Sequence, residues 1–492
     1  MKKVMFKKTQ KWVSPAQGAI MRKQDQDPKS ELFRQRLDDE SQLVRTWFEN
    51  ESFESDQWGL GLEVEGYFVD NASKVASKAP EILAQVSDPL IKPELGKFNF
   101  EINSPVQRFH PQLLSRLETG LNNQLEAVKT AAKPHGCTPL LIGILPTLTQ
   151  EDLTVSNMTD SDRYRIMNKG LLALRENQPF QVDIKGDHDR LVCEHPNIMF
   201  ESATTGLQIN LSCPFPKMAR YYNASLMAAA PLVGISANSP YLFGKQLYDE
   251  TRVPLFEQCI NVTDYVDQQK GVQRTTFGTG YIRHSLYDLY QQNRHLFPPL
   301  ATELTDQLSG PIGHVQLHNG TIWRWSRPKI QVEPGQAPSL RIESRVSASG
   351  PTVRDMVAST AFWLGLVTFL VELEIAAEYE YPFEIVKGNF ESATRLSLEA
   401  PINWGAGPAR ALRTVIADEL IENSGHGLRH LGLDQEEIEE YLHIISQRVK
   451  AGKTGAEFQK SFIRQYGKEF GALSRAYQAQ CATQKGVHEW EF

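Results

Sequence analysis

Residues 61–69 alternate apolar and acidic side chains, and this period of two predicts a β-strand. Successive strand residues point to opposite faces, so Glu63 and Glu65 share one face while Leu62 and Val64 share the other. Two carboxylates side by side on a sheet repel each other, and a fold tolerates them when a cation lies between them. A hard divalent metal ion is the usual cation at such a position.

Two further strand-like segments carry charged side chains. One contains Glu101, with Glu94 seven positions before it, and the other has Arg341, Glu343 and Arg345 on a single face. Carboxylates hold Mg²⁺ and arginines neutralise phosphate charge, so the set is typical of a metal–nucleotide site. A single strand of this kind is more simply explained as a solvated face with a ladder of Glu–Arg pairs. The three strands together favour a site, because clustered ionisable groups mark functional positions.

Amide side chains occur on another alternating segment, residues 204–212, which places Gln208 and Asn210 on one face. In one interpretation these amides coordinate a metal ion or bind ribose and substrate. In the other they only satisfy neighbouring polar groups.

An aromatic and basic segment follows a predicted turn at residues 319–320. Residues 321–325 read as a strand. Trp325 at its end and Arg327 just after it either flank a nucleotide or an amino-acid carboxylate, or simply pack. The sequence alone leaves both interpretations open.

Three more arginines are candidates by charge type alone. Arg163 and Arg165 lie within one predicted helical turn, and Arg252 follows an acidic pair. A guanidinium fork suits a carboxylate or a phosphate, which is the functional interpretation. The alternative for Arg163 and Arg165 is the exposed start of a surface helix.

The remaining pattern is mainly helical and indicates an α+β protein. Ser30 is the expected N-cap of a first helix and Asp434 that of a late one. Apolar residues at helical spacing predict helices over about 110–132 and 224–235, and a buried one to about 377. Residues 138–145 read as a buried strand. The domain prediction is a polar and helical arm over 1–55, a catalytic domain over 56–385, and a helical region over 386–492 that packs on it.

Composition narrows the possible partners. The chain has 492 residues and a net charge of −7 with no long basic block, which argues against a nucleic-acid surface. Five scattered cysteines without metal-ligand spacing are typical of reduced thiols, so we expect a cytoplasmic protein.

The basic N-terminus lacks the apolar core of a secretory signal, and acidic residues follow too soon for an organelle-targeting segment. The apolar stretches 226–243 and 356–371 are better interpreted as buried helices than as membrane spans.

Taken together, these segments resemble the glutamate–cysteine ligase superfamily, in the carboxylate–amine ligase branch that includes plant-type and many bacterial enzymes. Each motif is weak alone, but the ordered set is fairly specific and spans about 60–375. The matching pieces are GLEVE at 61–65, the acidic segment 94–101, RYRIM at 163–167, TGLQIN at 205–210, ANSP at 237–240, GTIWRWSRP at 320–328 and LRIESR at 340–345.

The resemblance implies a fold like that of glutamine synthetase, in which a curled antiparallel sheet forms a funnel around the ATP–Mg²⁺ site. It implies metal carboxylates, an arginine at the transferring phosphate, and a Gln where other branches have His. By position the metal-site residues are Glu63, Glu65, Glu94, Glu101, Gln208 and Glu343, and the catalytic ones are Glu63, Glu101 and Arg345. The predicted nucleotide-binding residues are Arg341 and Arg345. The predicted substrate-binding residues, assigned by residue type, are Arg163, Arg165, Asn210, Arg252, Trp325 and Arg327.

The implied function is an ATP- and Mg²⁺-dependent ligase, with Mn²⁺ as an alternative metal. It would join the γ-carboxylate of L-glutamate to the amine of L-cysteine through a γ-glutamyl phosphate, as in glutathione biosynthesis. Such chemistry needs positioning and charge rather than a protein nucleophile, which agrees with the lack of a persuasive catalytic triad or phosphate-binding glycine loop. The alternatives are the same chemistry on another acid or amine, and a non-catalytic homologue that binds nucleotide or amino acid. Partners are expected to be small molecules, without nucleic acid or membrane, and the oligomeric state is open.

Overall fold

The computed structural model describes residues 28–54, 58–262 and 273–491. It is an α+β protein built on a mostly antiparallel sheet, which confirms the predicted fold class. The first 27 residues of the predicted N-terminal arm, including its basic start, lie outside the described residues. The expected curling of the sheet into a funnel, and the three domain boundaries, stay predictions.

The main sheet is organised around one long strand, β1, which the acidic alternation correctly predicted. Its path runs in the order β13–β14–β8–β1–β3–β2, and β4 and β5 also pair with β1. The strands are β1 (Gly59–Val69), β2 (Ile91–Pro93), β3 (Asn99–Asn103), β4 (Gln107–Arg108), β5 (Thr138–Leu140), β6 (Phe180–Lys185), β7 (Arg190–His195), β8 (Gly206–Ser212), β9 (Tyr241–Leu242), β10 (Lys245–Gln246), β11 (Thr275–Thr276), β12 (Trp323–Arg324), β13 (Ser326–Gln331), β14 (Ser339–Ala348), β15 (Pro401–Ile402) and β16 (Arg410–Ala411).

Helices surround the sheet and supply most of the rest of the core. They are α1 (Pro28–Glu49), α2 (Ala79–Leu83), α3 (Leu113–Ala132), α4 (Asp162–Leu174), α5 (Met218–Met227), α6 (Ala229–Ser236), α7 (Arg252–Cys259), α8 (Tyr287–Leu296), α9 (Gly313–Gly320), α10 (Val353–Glu372), α11 (Phe383–Leu396), α12 (Leu412–Val415), α13 (Ile421–His430), α14 (Gln435–Ala451), α15 (Gly455–Tyr466) and α16 (Phe470–Ala482).

Helix α10 is the central helix of the core. By length and composition it is apolar enough to cross a membrane, yet 89% of its most apolar window is buried inside the protein, as the sequence predicted. It packs closely against α13, where Gly365 and Gly427 bring the two backbones together. A Cβ on Gly365 would collide with the carbonyl of Ser424, so only glycine allows this approach. Asp355 at its start forms a buried ion pair with Arg448 at 2.7 Å, which ties α10 to α14.

Several local predictions are wrong, because tertiary contacts override local preference. Ser30 lies inside α1, which begins at Pro28, and its hydroxyl contacts Thr302 instead of capping the helix. The strand predicted over 138–145 ends at Leu140. Asp434 does occupy an N-cap position, but its side chain makes no capping hydrogen bond.

The predicted turn at residues 319–320 is instead the last part of helix α9. This helix is capped from a distant part of the chain. The carboxylate of Glu40 on α1 accepts hydrogen bonds from the backbone N–H groups of His314 (2.7 Å) and Val315 (3.0 Å), and lies 2.6 Å from His314 Nδ1. A carboxylate that accepts hydrogen bonds from the otherwise unsatisfied N–H groups stabilises the start of a helix. This contact explains why the short segment of α9 is helical.

Replacing Glu40 by Gln should lower the free energy of unfolding by about 1–3 kcal/mol, because a charged acceptor of buried N–H groups is lost. The matched control is Asp39→Asn, which removes a neighbouring exposed charge on the same helix. Chemical denaturation followed by circular dichroism measures both variants. Equal stability of the two variants would show that the Glu40 cap contributes nothing.

Candidate active site

Strand pairing brings the predicted acidic residues onto one part of the sheet. Glu65 on β1 lies opposite Glu101 on β3, and Glu63 lies opposite Gln208 on β8. On the other side of β8, Asn210 lies opposite Glu343 on β14. Residues opposite each other in adjacent strands project to the same face. The register therefore aligns side chains from four strands that are far apart in sequence.

Three carboxylates form a tight cluster at one end of this row. Single oxygens of Glu65, Glu94 and Glu101 all lie within 4.8 Å of one another, and each residue is half-buried. Burial, with the charge of neighbouring carboxylates, raises the pKa of Glu94 well above its usual value and that of Glu101 to about 7. Burial also raises the pKa of Glu65. Close, partly buried oxygen ligands that repel one another fit a hard divalent cation such as Mg²⁺.

Hydrogen bonds from neighbouring residues orient the carboxylates of the cluster. Glu65 accepts from the backbone N–H of Gly206 at 2.6 Å and from Nε2 of Gln208 at 2.8 Å. Asn103 donates to Glu101 at 2.6 Å. These donors leave the remaining carboxylate lone pairs available for a ligand. Gln208, a predicted metal-site residue, thus contacts the cluster through its N–H group, and its metal role stays a prediction.

A group of cations adjoins the acidic cluster and is centred on Glu343. This fully buried carboxylate is 2.9 Å from Arg327, 2.6 Å from Lys329 and 2.7 Å from Arg345. Burial alone would raise the pKa of Glu343, but these three cations hold it well below its usual value. With three positive charges against one negative charge, the group keeps a surplus of positive charge that suits a phosphate.

Two side chains join the acidic and basic groups. The carbonyl oxygen of Gln208 accepts a hydrogen bond from Arg345 at 2.6 Å while its N–H group binds Glu65. Lys329 contacts Glu63 at 3.3 Å as well as Glu343. Asn210 donates to Glu63 at 3.1 Å. Its Oδ1 atom is buried without a hydrogen-bond partner in the described part of the chain.

Two predicted site residues make no contact with the carboxylates of this row. Arg165 is exposed and forms ion pairs with Asp160 and Asp162 on its own helix and the preceding turn. Arg341 donates to the side chain of Gln331 at 3.2 Å. The structure does not bring Arg165 or Arg341 into contact with the carboxylates, and their roles stay predictions.

Arg252 and Trp325 are buried and have partners within the protein. Arg252 is buried, pairs with Glu250 at 2.8 Å and donates to the backbone carbonyl of Val346 at 2.6 Å, so it supports strand β14. Trp325 is buried and its indole N–H donates to Glu257 at 2.9 Å, with the Arg252 guanidinium 5.6 Å from its ring centre. Both side chains have protein partners, which favours a supporting role, and their substrate-binding roles stay predictions.

Sequence reasoning missed four residues near the row. Lys329 follows Trp325 and Arg327 at period two, so the strand pattern contained its signal. Tyr164 belongs to a quoted motif, and burial with the charges of Glu94, Glu201 and Glu101 raises its pKa. Glu201 and Glu257 have no local signal, because neither belongs to an alternating strand. The missed residues are Tyr164, Glu201, Glu257 and Lys329.

Comparison with known proteins agrees with this arrangement. The family model for glutamate-cysteine ligase family 2 matches residues 59–479, a range that extends beyond the ordered motifs of residues 60–375. No curated protein sequence matches the chain.

Two solved structures are similar in fold. A glutamate–cysteine ligase from Francisella tularensis, solved in complex with AMP, has a TM-score of 0.55 and 13% sequence identity, and the match covers 89% of this chain and 91% of that one. A bifunctional glutathione synthetase from Pasteurella multocida has a TM-score of 0.54 and 12% identity, over 90% of this chain and 55% of that one. At such identities the similarity establishes the fold alone. The match of the family model over most of the chain establishes the family: this protein belongs to glutamate-cysteine ligase family 2, a family of ATP-dependent carboxylate–amine ligases.

Proposed function

We propose that the protein joins the γ-carboxylate of L-glutamate to the amine of L-cysteine, using ATP and Mg²⁺. The observation that carries the proposal is the placement of the Glu65–Glu94–Glu101 cluster beside the cations around Glu343, on one face of one sheet. A carboxylate cluster that fits a divalent cation and an adjoining surplus of positive charge are what ATP phosphates require. Family membership supplies the ligase class.

In this proposal Glu65, Glu94 and Glu101 would hold Mg²⁺, and Mn²⁺ would be accepted as well. The bound cation would neutralise phosphate charge. Arg345 lies between Gln208 and Glu343, and we assign it to the transferring phosphoryl group. The glutamate γ-carboxylate attacks the γ-phosphorus of ATP and ADP leaves. The amine nitrogen then attacks the acyl carbon, phosphate leaves, and the nitrogen gives up a proton.

Several consequences of this function are proposed with it. They are a role in glutathione biosynthesis, a cytoplasmic location and small-molecule partners. Hydrogen bonds link Asn210 and Lys329 to Glu63, and Arg327 to Glu343. Because these four side chains, Glu63, Asn210, Arg327 and Lys329, adjoin the two charged groups, we assign them to nucleotide or substrate contacts. Substrate pockets are commonly formed by loops that vary between proteins of one fold, so another acid or amine is the alternative within the same chemistry.

ADP release with Mg²⁺, ATP and L-glutamate, measured with and without L-cysteine, tests the function. Cysteine-dependent release together with γ-glutamylcysteine in the product would support it. If another amine stimulates ADP release more than cysteine does, that amine replaces cysteine as the proposed acceptor. Absence of both ADP release and nucleotide binding by calorimetry would favour a non-catalytic homologue.

Glu65→Gln should reduce ADP release at least about 100-fold, because a neutral amide replaces a charged oxygen ligand of the cation. The fold should persist, since the strand register and the surrounding core are unchanged. The control is Glu126→Gln, an exposed acid on α3 that pairs with Lys129. Steady-state assays and thermal unfolding measure both variants. Normal turnover in Glu65→Gln would place the metal elsewhere.

Without divalent ions, the contribution of Glu101 to the free energy of unfolding should fall as the pH rises from about 4.5 to about 7. Glu101 keeps its proton in the folded state up to a pKa of about 7, from an ordinary value of 4.5. The folded state therefore binds more protons across this window, and the free energy of unfolding falls with rising pH. The pKa of Glu343 is lowered in the folded state, so its stabilising effect is lost only at lower pH. Above pH 4.5 this effect is complete and does not change across the window.

Melting temperatures in EDTA between pH 5 and pH 8 measure this effect, with Glu101→Gln as the comparison. The variant should show a weaker fall with pH, and added Mg²⁺ should restore stability mainly above pH 7. Identical pH profiles for the wild type and the variant would contradict the assignment.

A further inference from the structure

Gln208 on β8 faces an irregularity in the neighbouring strand β14. The pairing register shifts between Ser344 and Ser347, so that Arg345 and Val346 together lie opposite the single residue Gln208. Two residues opposite one define a β-bulge, and bulges beside active sites redirect a side chain. The bulge therefore sets how Arg345, which we assign to the transferring phosphoryl group, meets the amide of Gln208.

A buried arginine stabilises this bulge. The extra residue of a bulge interrupts the hydrogen-bond ladder between the strands, so its backbone groups need other partners. The Arg252 guanidinium donates to the carbonyl of Val346 at 2.6 Å and to that of Arg345 at 3.3 Å. The backbone N–H of Arg345 donates to the carbonyl of Trp325 at 2.9 Å. Contacts from two other parts of the chain thus fix the backbone from which the Arg345 side chain extends.

Both ends of the Gln208 amide are used, and their chemistry decides which end meets which partner. Nε2 donates to Glu65 at 2.8 Å, and Oε1 accepts from Arg345 at 2.6 Å. An ionised carboxylate only accepts hydrogen bonds and a guanidinium only donates them, so a reversed amide would lose both. Gln208 is buried, which makes an unpaired amide end costly. The amide therefore has one favourable orientation, and it links the positions of Glu65 and Arg345.

We propose that Gln208 is a positioning residue that couples binding of the divalent cation to binding of the ATP phosphates. The inference rests on the proposed function, which supplies these two ligands at Glu65 and Arg345. A cation would hold Glu65 at the donor end of the amide, and a phosphate would hold Arg345 at the acceptor end. The ligand that binds first fixes the shared amide, so the second ligand finds its own side chain in place. By thermodynamic linkage, each ligand raises the affinity for the other by the same factor.

Two other roles for Gln208 lead to different results. The predicted metal role would use the amide oxygen, which accepts from Arg345 in this structure. Loss of a metal ligand would weaken cation binding even without nucleotide. A residue that only supports the fold would lower stability and leave the coupling between the two ligands unchanged.

Calorimetry on the full chain tests the coupling, with Mn²⁺ and the β,γ-imido analogue of ATP as ligands. Each affinity is measured with and without the other ligand, and the ratio of the two values is the coupling factor. Gln208→Met keeps a side chain of similar length and loses both hydrogen bonds. The coupling factor should fall about 10-fold in this variant, within the range of about 5- to 150-fold that is typical of coupled sites. Mn²⁺ affinity without nucleotide should stay close to the wild-type value.

Two further variants complete the experiment. Gln181→Met is the matched control, because Gln181 is an exposed residue of strand β6 that donates to Glu194 at 3.2 Å. Gln208→Asn keeps a buried amide but is one methylene shorter, so it cannot reach Glu65 and Arg345 together. It should lose the coupling as Gln208→Met does, and it provides the test if the Met variant does not fold.

An unchanged coupling factor in a folded Gln208 variant would overturn the inference. An equal loss of Mn²⁺ affinity with and without nucleotide would also overturn it and favour the metal role, and so would a wild type that binds neither ligand. The ADP-release assay tests the proposed function separately. Coupling that depends on Gln208, in a chain that releases no ADP with cysteine, would refute the acceptor and retain this inference.

Discussion

Repulsion between buried carboxylates is the constraint on which the proposed active site depends. The antiparallel register places Glu65 directly opposite Glu101, and Glu94 joins them from the segment between β2 and β3. Backbone hydrogen bonds along the sheet hold these groups together, although their charges favour separation. Burial raises the pKa of all three, and the charge of neighbouring carboxylates adds to this effect for Glu94 and Glu101, so a bound cation would stabilise the cluster.

The cations around Glu343 are the other half of the same arrangement. Glu343 is fully buried, so it depends on its three ion pairs, and those pairs in turn hold Arg327, Lys329 and Arg345 in place. Gln208 connects the two halves, since one end of its amide contacts Glu65 and the other contacts Arg345. The side chains of β8 therefore set the spacing between negative and positive groups.

Local patterning was enough to predict the strands that carry this chemistry. Period two placed Glu63 and Glu65 on one face of β1, and the resemblance ordered them with Glu101, Glu343 and Arg345. The local argument failed at residues 319–320, where a turn-forming dipeptide ends a helix because Glu40, more than 270 residues earlier, caps its start. A propensity describes a few neighbouring residues and has no information about such a partner.

The sequence by itself determined which strands alternate, which faces are acidic, which helix is buried and, through the ordered motifs, the family. Only the tertiary structure decided which charges meet. Arg163 and Arg165 are chemically identical and two positions apart, yet Arg165 is paired with Asp160 and Asp162, whereas Arg163 is exposed and has no ion pair within the described residues. Pairing depends on strand register and helix docking, and these are set by contacts between residues far apart in the chain.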